Sequence, residues 1–84
     1  MAVTDTVRMS FKGHFVQPSF LDFVDRRAAR LDLDVAVTSS GVDRVAVAVS
    51  GQLDLIDAFE MACSLGPIDC LVLDVERSQI ESGN

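Results

Sequence analysis

Few side chains in this chain are equipped for chemistry. It has one histidine, His14, two cysteines, Cys63 and Cys70, and thirteen carboxylates set against seven basic residues. His14 lies in the stretch GHFVQPSFL, residues 13–21, between an alternating segment and a helical pattern. Loops leading from a strand into a helix are frequent anion sites. The first N–H groups of the helix lack partners there, and the helix dipole adds positive potential. His14, Phe15, Val16, Gln17 and Ser19 are therefore the candidate anion-loop residues, while Pro18 contributes no N–H.

The other constellations carry less. Cys63 and Cys70 form no C-x-x-C pair, and one histidine with two cysteines at this spacing is not a zinc pattern. Two partly buried thiols in a reducing compartment are expected. Asp32 and Asp34 look like a fragment of a calcium loop but lack its further acids and bidentate Glu, so they read as a solvated turn. Ser39 and Ser40 have no neighbouring base in sequence to activate a hydroxyl. Asp54, Asp57 and Glu60 fall on one side of a helix and read as a solvated ridge. Neither a metal nor a cofactor is expected.

Composition narrows the partners. The net charge is −6 with a single lysine and no Tyr or Trp, which disfavours nucleic acid and anionic membranes. No signal-peptide pattern and no apolar run of ~20 residues is present, so a cytoplasmic location is expected. With 84 residues and 49% apolar side chains, the chain reads as a single domain over 1–84. Its core is expected over residues 7–76, with tails at 1–6 and 77–84. A domain this short buries only ~60% of the surface of its unfolded chain, so stability is thin.

The elements that would position the loop are legible from periodicity. Val7, Met9 and Phe11 alternate with Arg8, Ser10 and Lys12, predicting a strand that ends at Gly13. Phe20, Phe23, Val24, Ala28 and Leu31 predict a helix over 18–31, with Pro18 in its first turn. A strand follows over 35–38, turn chemistry over 39–43, and a third strand on Val45, Val47 and Val49. Leu55, Ile56, Phe59, Ala62 and Cys63 predict a second helix, stopped by Gly66-Pro67. Residues 70–75 read as a fourth strand, and 78–84 as a polar, frayed end. The order β-α-β-β-α-β predicts an α+β, ferredoxin-like sandwich: a four-stranded antiparallel sheet with two helices on one face.

Read in this register, the chain resembles the acylphosphatase family over residues 7–76 without a gap. Gly13, Phe20, Leu31 and Leu33 match the spacing of a strand, G-x-V-Q-G-V-x-F-R and a helix ending in L-x-L. Val37, Val45, Val47, Val49 and Gly51 match the family's next strand pair, and Ala58, Phe59 and Gly66-Pro67 its second helix. The resemblance implies hydrolysis of acyl phosphates, with the motif's arginine clamping phosphate and an asparagine after the second strand positioning water. Those two positions are Leu21 and Ser39 here, and Gln17 stands where the motif has its second glycine. Losing an arginine that stabilises phosphoryl charge can cost ~10³–10⁵ in rate, and losing one positioned donor ~10²–10³ more.

The expectation is a catalytically degenerate acylphosphatase-like domain serving as a binding or interaction module. The alternatives are a weak acylphosphatase using His14 and loop amides, and a small-anion or small-ligand sensor. Ala36, Ala46 and Ala48 alternate outward on the second and third strands, and Leu71 and Leu73 lie on the fourth. Together they predict an apolar helix-free sheet face, suited to a homodimer or a protein partner.

Overall fold

The structure, a computed structural model, describes residues 5–80. Its elements are β1 (Asp5–His14), α1 (Gln17–Arg30), β2 (Asp34–Ser40), β3 (Arg44–Gly51), α2 (Leu53–Leu65) and β4 (Leu71–Ile80). The strands form one sheet in the order β2-β3-β1-β4, and every neighbouring pair is antiparallel. This is the ferredoxin-like arrangement that the periodicity predicts.

The two central strands carry the core. Val7, Met9 and Phe11 pair with Val49, Val47 and Val45, and all six are fully buried. Phe20, Val24 and Ala28 of α1 and Ile56, Phe59 and Cys63 of α2 cover this face. Fully burying each large apolar side chain contributes roughly 1.5–3 kcal/mol. Among the described residues no charged or polar side chain is buried, so the core gains nothing from internal ion pairs.

Both helices stop through backbone geometry. At the end of α1 the N–H of Leu33 donates to the carbonyl of Ala28, and Asp32 adopts a left-handed φ of 57°. Asp tolerates this region better than most residues. Asp32 is thus a helix-ending residue, at the place where the sequence reads as a turn. Gly66 ends α2 with φ +66° and donates to the carbonyl of Ala62.

Three strands have ends that differ from the sequence expectation. β1 includes Asp5 and Thr6 and continues through Gly13 to His14, so Gly13 does not end it. At Gly13 the pairing with β4 shifts by one residue, and a Cβ there would collide with the carbonyl oxygen of Leu71. The glycine is required by this close backbone approach. β2 runs through Ser39 and Ser40, leaving only residues 41–43 as the turn. β4 reaches Ile80, where a frayed end was expected. The remaining parts of the expected tails, residues 1–4 and 81–84, lie outside the described residues.

Arg77 is one physical reason for the longer β4. It pairs with Met9 and shares that residue's face of the sheet, reaching Asp57 at 2.7 Å and Glu60 at 2.9 Å on α2. Two acids of the supposed solvated ridge therefore clasp a strand. Replacing Arg77 by Ala should cost about 1 kcal/mol, because these pairs are partly exposed. Phe20→Ala should cost about 3–5 kcal/mol, since Phe20 is fully buried between two other rings. Urea denaturation followed by circular dichroism would check both values, with the ordering Phe20 ≫ Arg77 as the expected outcome.

Candidate functional site

The loop between β1 and α1 is only Phe15 and Val16. Phe15 is buried and packs against Phe20 at 4.7 Å between ring centroids, so its side chain belongs to the core. Its N–H donates to the carbonyl of Val42 at 2.8 Å, and the N–H of Gly13 donates to Asp43 at 3.1 Å. Both carbonyls come from the β2–β3 turn. The loop is thus sewn to that turn through amides that an anion cradle would have to leave free.

At the start of α1 the engaged groups are side chains. Gln17 is the first helical residue, and the helix is preceded by Val16 with φ −86°, ψ 101° and no side-chain cap. Among the described residues the only non-glycine with positive φ is Asp32, so Gln17 sits in ordinary helical space despite replacing the motif's glycine. Ser19 donates its hydroxyl to Asp69 Oδ1 at 2.8 Å, which brings a carboxylate from the α2–β4 connection to the helix N-terminus. That placement complements the helix dipole from within the protein. The Cys70 thiol donates to the carbonyl of Val16 at 3.7 Å and tightens the same junction.

A shallow cavity beside the loop is lined by His14, Phe15, Val16, Val42, Asp43 and Asp69. Its charged side chains are two carboxylates, and its imidazole is the chain's single one. Leu21 and Ser39 do not line it. Leu21 is half-buried and packs against the core, where it offers neither charge nor donor. Ser39 is exposed and pairs with Ala46 after a bulge at Thr38 in β2. Without the bulge it would share the helix-side face with Val35 and Val37; with it, Ser39 turns to the helix-free face. Of the loop candidates, His14, Phe15 and Val16 meet at the cavity, whereas Gln17 and Ser19 belong to the helix.

The helix-free face divides in two. Ala36 pairs with Ala48, and Ala46 lies one pair further along β3. β1 then interposes Arg8, Ser10 and Lys12, and Lys12 pairs with Glu76 across to β4 at 3.5 Å. Leu71 lies beyond β1, opposite His14, and Leu73 is the extra residue of the β4 bulge. The structure therefore brings the three alanines together but separates them from the two leucines. Sequence alternation identified the outward residues and could not reveal the polar row between them.

Among the described residues no group of three or more His, Cys, Asp or Glu side chains is placed to hold a metal ion. Nor is any helix there long and apolar enough to cross a membrane. Both cysteines are free thiols. Cys63 is fully buried on the core-facing side of α2, and burial pushes its thiol pKa up to about 12, with Arg27 pulling the other way. Partial burial, together with the charge of Asp69, also raises the Cys70 thiol.

No protein-family model and no curated protein matches this chain. Solved structures do. An acylphosphatase from Coxiella burnetii superposes with a TM-score of 0.85 at 20% identity, over 96% of this chain and 85% of that one. An acylphosphatase from Bacillus subtilis gives 0.84 at 21% identity, over 95% and 88%. Full-length HypF in its phosphate- and nucleotide-bound form gives 0.81 at 18% identity, over 96% of this chain and 11% of that one. The fold is thus acylphosphatase-like along nearly the whole chain.

The thiols yield a clean prediction, because the chain has one lysine and no tyrosine to obscure an alkaline titration. An unfolded thiol ionises near 9.0 and the folded Cys63 near about 12, so the unfolded chain alone loses a proton between them. Stability should be unaffected below the lower value and fall above it, by about 1.4 kcal/mol per pH unit. Urea midpoints measured across that range should show the decline, and Cys63→Val should remove most of it, leaving the smaller part due to Cys70.

Proposed function

We propose that this domain binds a partner and does not turn over acyl phosphates. The observation that carries the reading is the charge of the loop cavity. Asp43 and Asp69 line it, and the half-buried Leu21 stands at the position that the resemblance assigns to the clamping arginine. Hydrolysis of an acyl phosphate needs positive charge on the transferring phosphoryl oxygens. Carboxylates at the same place raise the energy of a bound phosphate. Pro18 has no N–H, the amides of Gly13 and Phe15 already donate to the β2–β3 turn, and Phe20 donates back to Val16. Asp69 lies where an external anion would compete for the helix terminus.

A fold can be retained while its site chemistry changes, because the core and the loop residues are separate demands on the sequence. The core alternation on β1 and β3 is complete here, whereas residues 13–21 hold no lysine or arginine.

Benzoyl phosphate hydrolysis tests the reading. The expected rate is that of buffer alone, with no amide shifts in residues 14–21 on titration with inorganic phosphate. Turnover above buffer that disappears in His14→Ala would establish a hydrolase instead. Phosphate-dependent shifts without turnover would establish a small-anion sensor.

A further inference from the structure

A groove between the two helices carries a more specific inference, which rests on the binding-module reading. Three of the chain's seven basic residues, Arg26, Arg27 and Arg30, fall within five positions at the C-terminal end of α1. With Phe23 they line one cavity. A second cavity shares Phe23 and Arg27 and extends along α2 past Met61 and Leu65 to Gly66. The two cavities therefore adjoin at Phe23 and Arg27, and together they make a groove surface that is cationic at one end and apolar at the other.

The fold makes only limited use of either end. Arg26 pairs with Asp22 at 3.0 Å, but among the described residues Arg27 and Arg30 are in no ion pair. Arg27 lies over the Phe23 ring at 5.2 Å, a contact that fixes the guanidinium plane. Met61 and Leu65 are 70% and 81% exposed, so they contribute little to the core. The helix dipole explains why arginines are tolerated at this helix end. It does not explain the uncovered apolar side chains beside them.

We propose that this groove docks a protein segment with an apolar stripe that runs into carboxylates. Met61, Leu65 and Phe23 take the apolar side chains, while Arg27 and Arg30 pair with the acids. Charge complementarity selects this partner: a positive patch on a chain of net charge −6 repels basic segments at the groove and most acidic ones elsewhere. The shallow, open walls fit a helix or extended segment better than a small molecule, which needs an enclosing site. The exposed carboxylates of Asp22 and Asp25 on the same helix oppose an anionic membrane as the occupant.

The probe is a synthetic amphipathic peptide of about four helical turns, with leucines on one face and glutamates at one end. The expected result is saturable amide shifts in residues 23–30 and 58–66. Affinity should fall about tenfold in Arg27→Glu/Arg30→Glu and in Met61→Ser/Leu65→Ser, and should weaken with added salt. Amide spectra of each variant would verify that it is folded, and the conservative Arg30→Lys should retain most of the binding.

The proposal is overturned by absent shifts, by equal binding of the matched peptide with lysines in place of glutamates, or by binding to phosphatidylserine vesicles through these residues while the peptide does not bind. A chain inert toward benzoyl phosphate that also ignores the peptide would overturn the groove and leave the binding-module reading standing. Turnover of benzoyl phosphate would overturn that reading by itself.

Discussion

Phe20 meets Phe11 edge-on at 5.5 Å and packs against Phe15 at 4.7 Å. This three-ring contact joins the end of β1, the loop and the first turn of α1 in one packed unit. Aromatic pairs of this kind contribute about 0.5–1.5 kcal/mol beyond the area they bury. In a domain whose stability margin is thin, the contact fixes where the helix begins and how short the loop is. It also fixes what the loop can do. A residue whose side chain is buried and whose N–H reaches Val42 cannot swing to meet a ligand.

The same packing explains why the acylphosphatase-like frame makes no demand on the charge of the loop. Gly13 is held by the nearby Leu71 carbonyl, and Val7, Met9 and Phe11 are held by the facing valines of β3. None of these constraints involves charge. Leu21, half-buried on the same helix turn, packs against the core without taking part in them. The internal carboxylate of Asp69, bound by Ser19, then complements the helix dipole. The loop is thus a rigid connection between sheet and helix.

Charge is distributed to the same effect. Lys12 and Arg77 are engaged with acids on neighbouring elements, at Glu76 and at Asp57 and Glu60. Arg27 and Arg30 are the basic residues of α1 that pair with no carboxylate among the described residues. Exposed pairs are individually weak, about 0.2–1 kcal/mol, so their value to the fold is small. Their spatial pattern matters more: it leaves the positive potential of the chain concentrated at the end of α1.

Most of the fold was legible in the sequence because its core follows two periods. Alternation on Val7, Met9 and Phe11, and on Val45, Val47 and Val49, named residues that the structure buries completely. Helical spacing named Phe20, Val24, Ala28, Ile56, Phe59 and Cys63 in the same way. Gly66-Pro67 marked the end of α2 because positive φ and a missing N–H are local properties. What sequence could not supply depends on register between distant strands. The bulge at Thr38 turns Ser39 to the other face, and the row of Arg8, Ser10 and Lys12 divides the alanines from the leucines. Arg77 reads as a tail residue until pairing with Met9 sets it beneath α2. The occupied amides of Gly13 and Phe15 and the approach of Asp69 likewise need the β2–β3 turn and the α2–β4 connection beside the loop. Local periodicity determined which side chains are apolar and inward. Only the tertiary structure decided which polar groups meet, because those contacts join segments that the chain's local spacing does not relate.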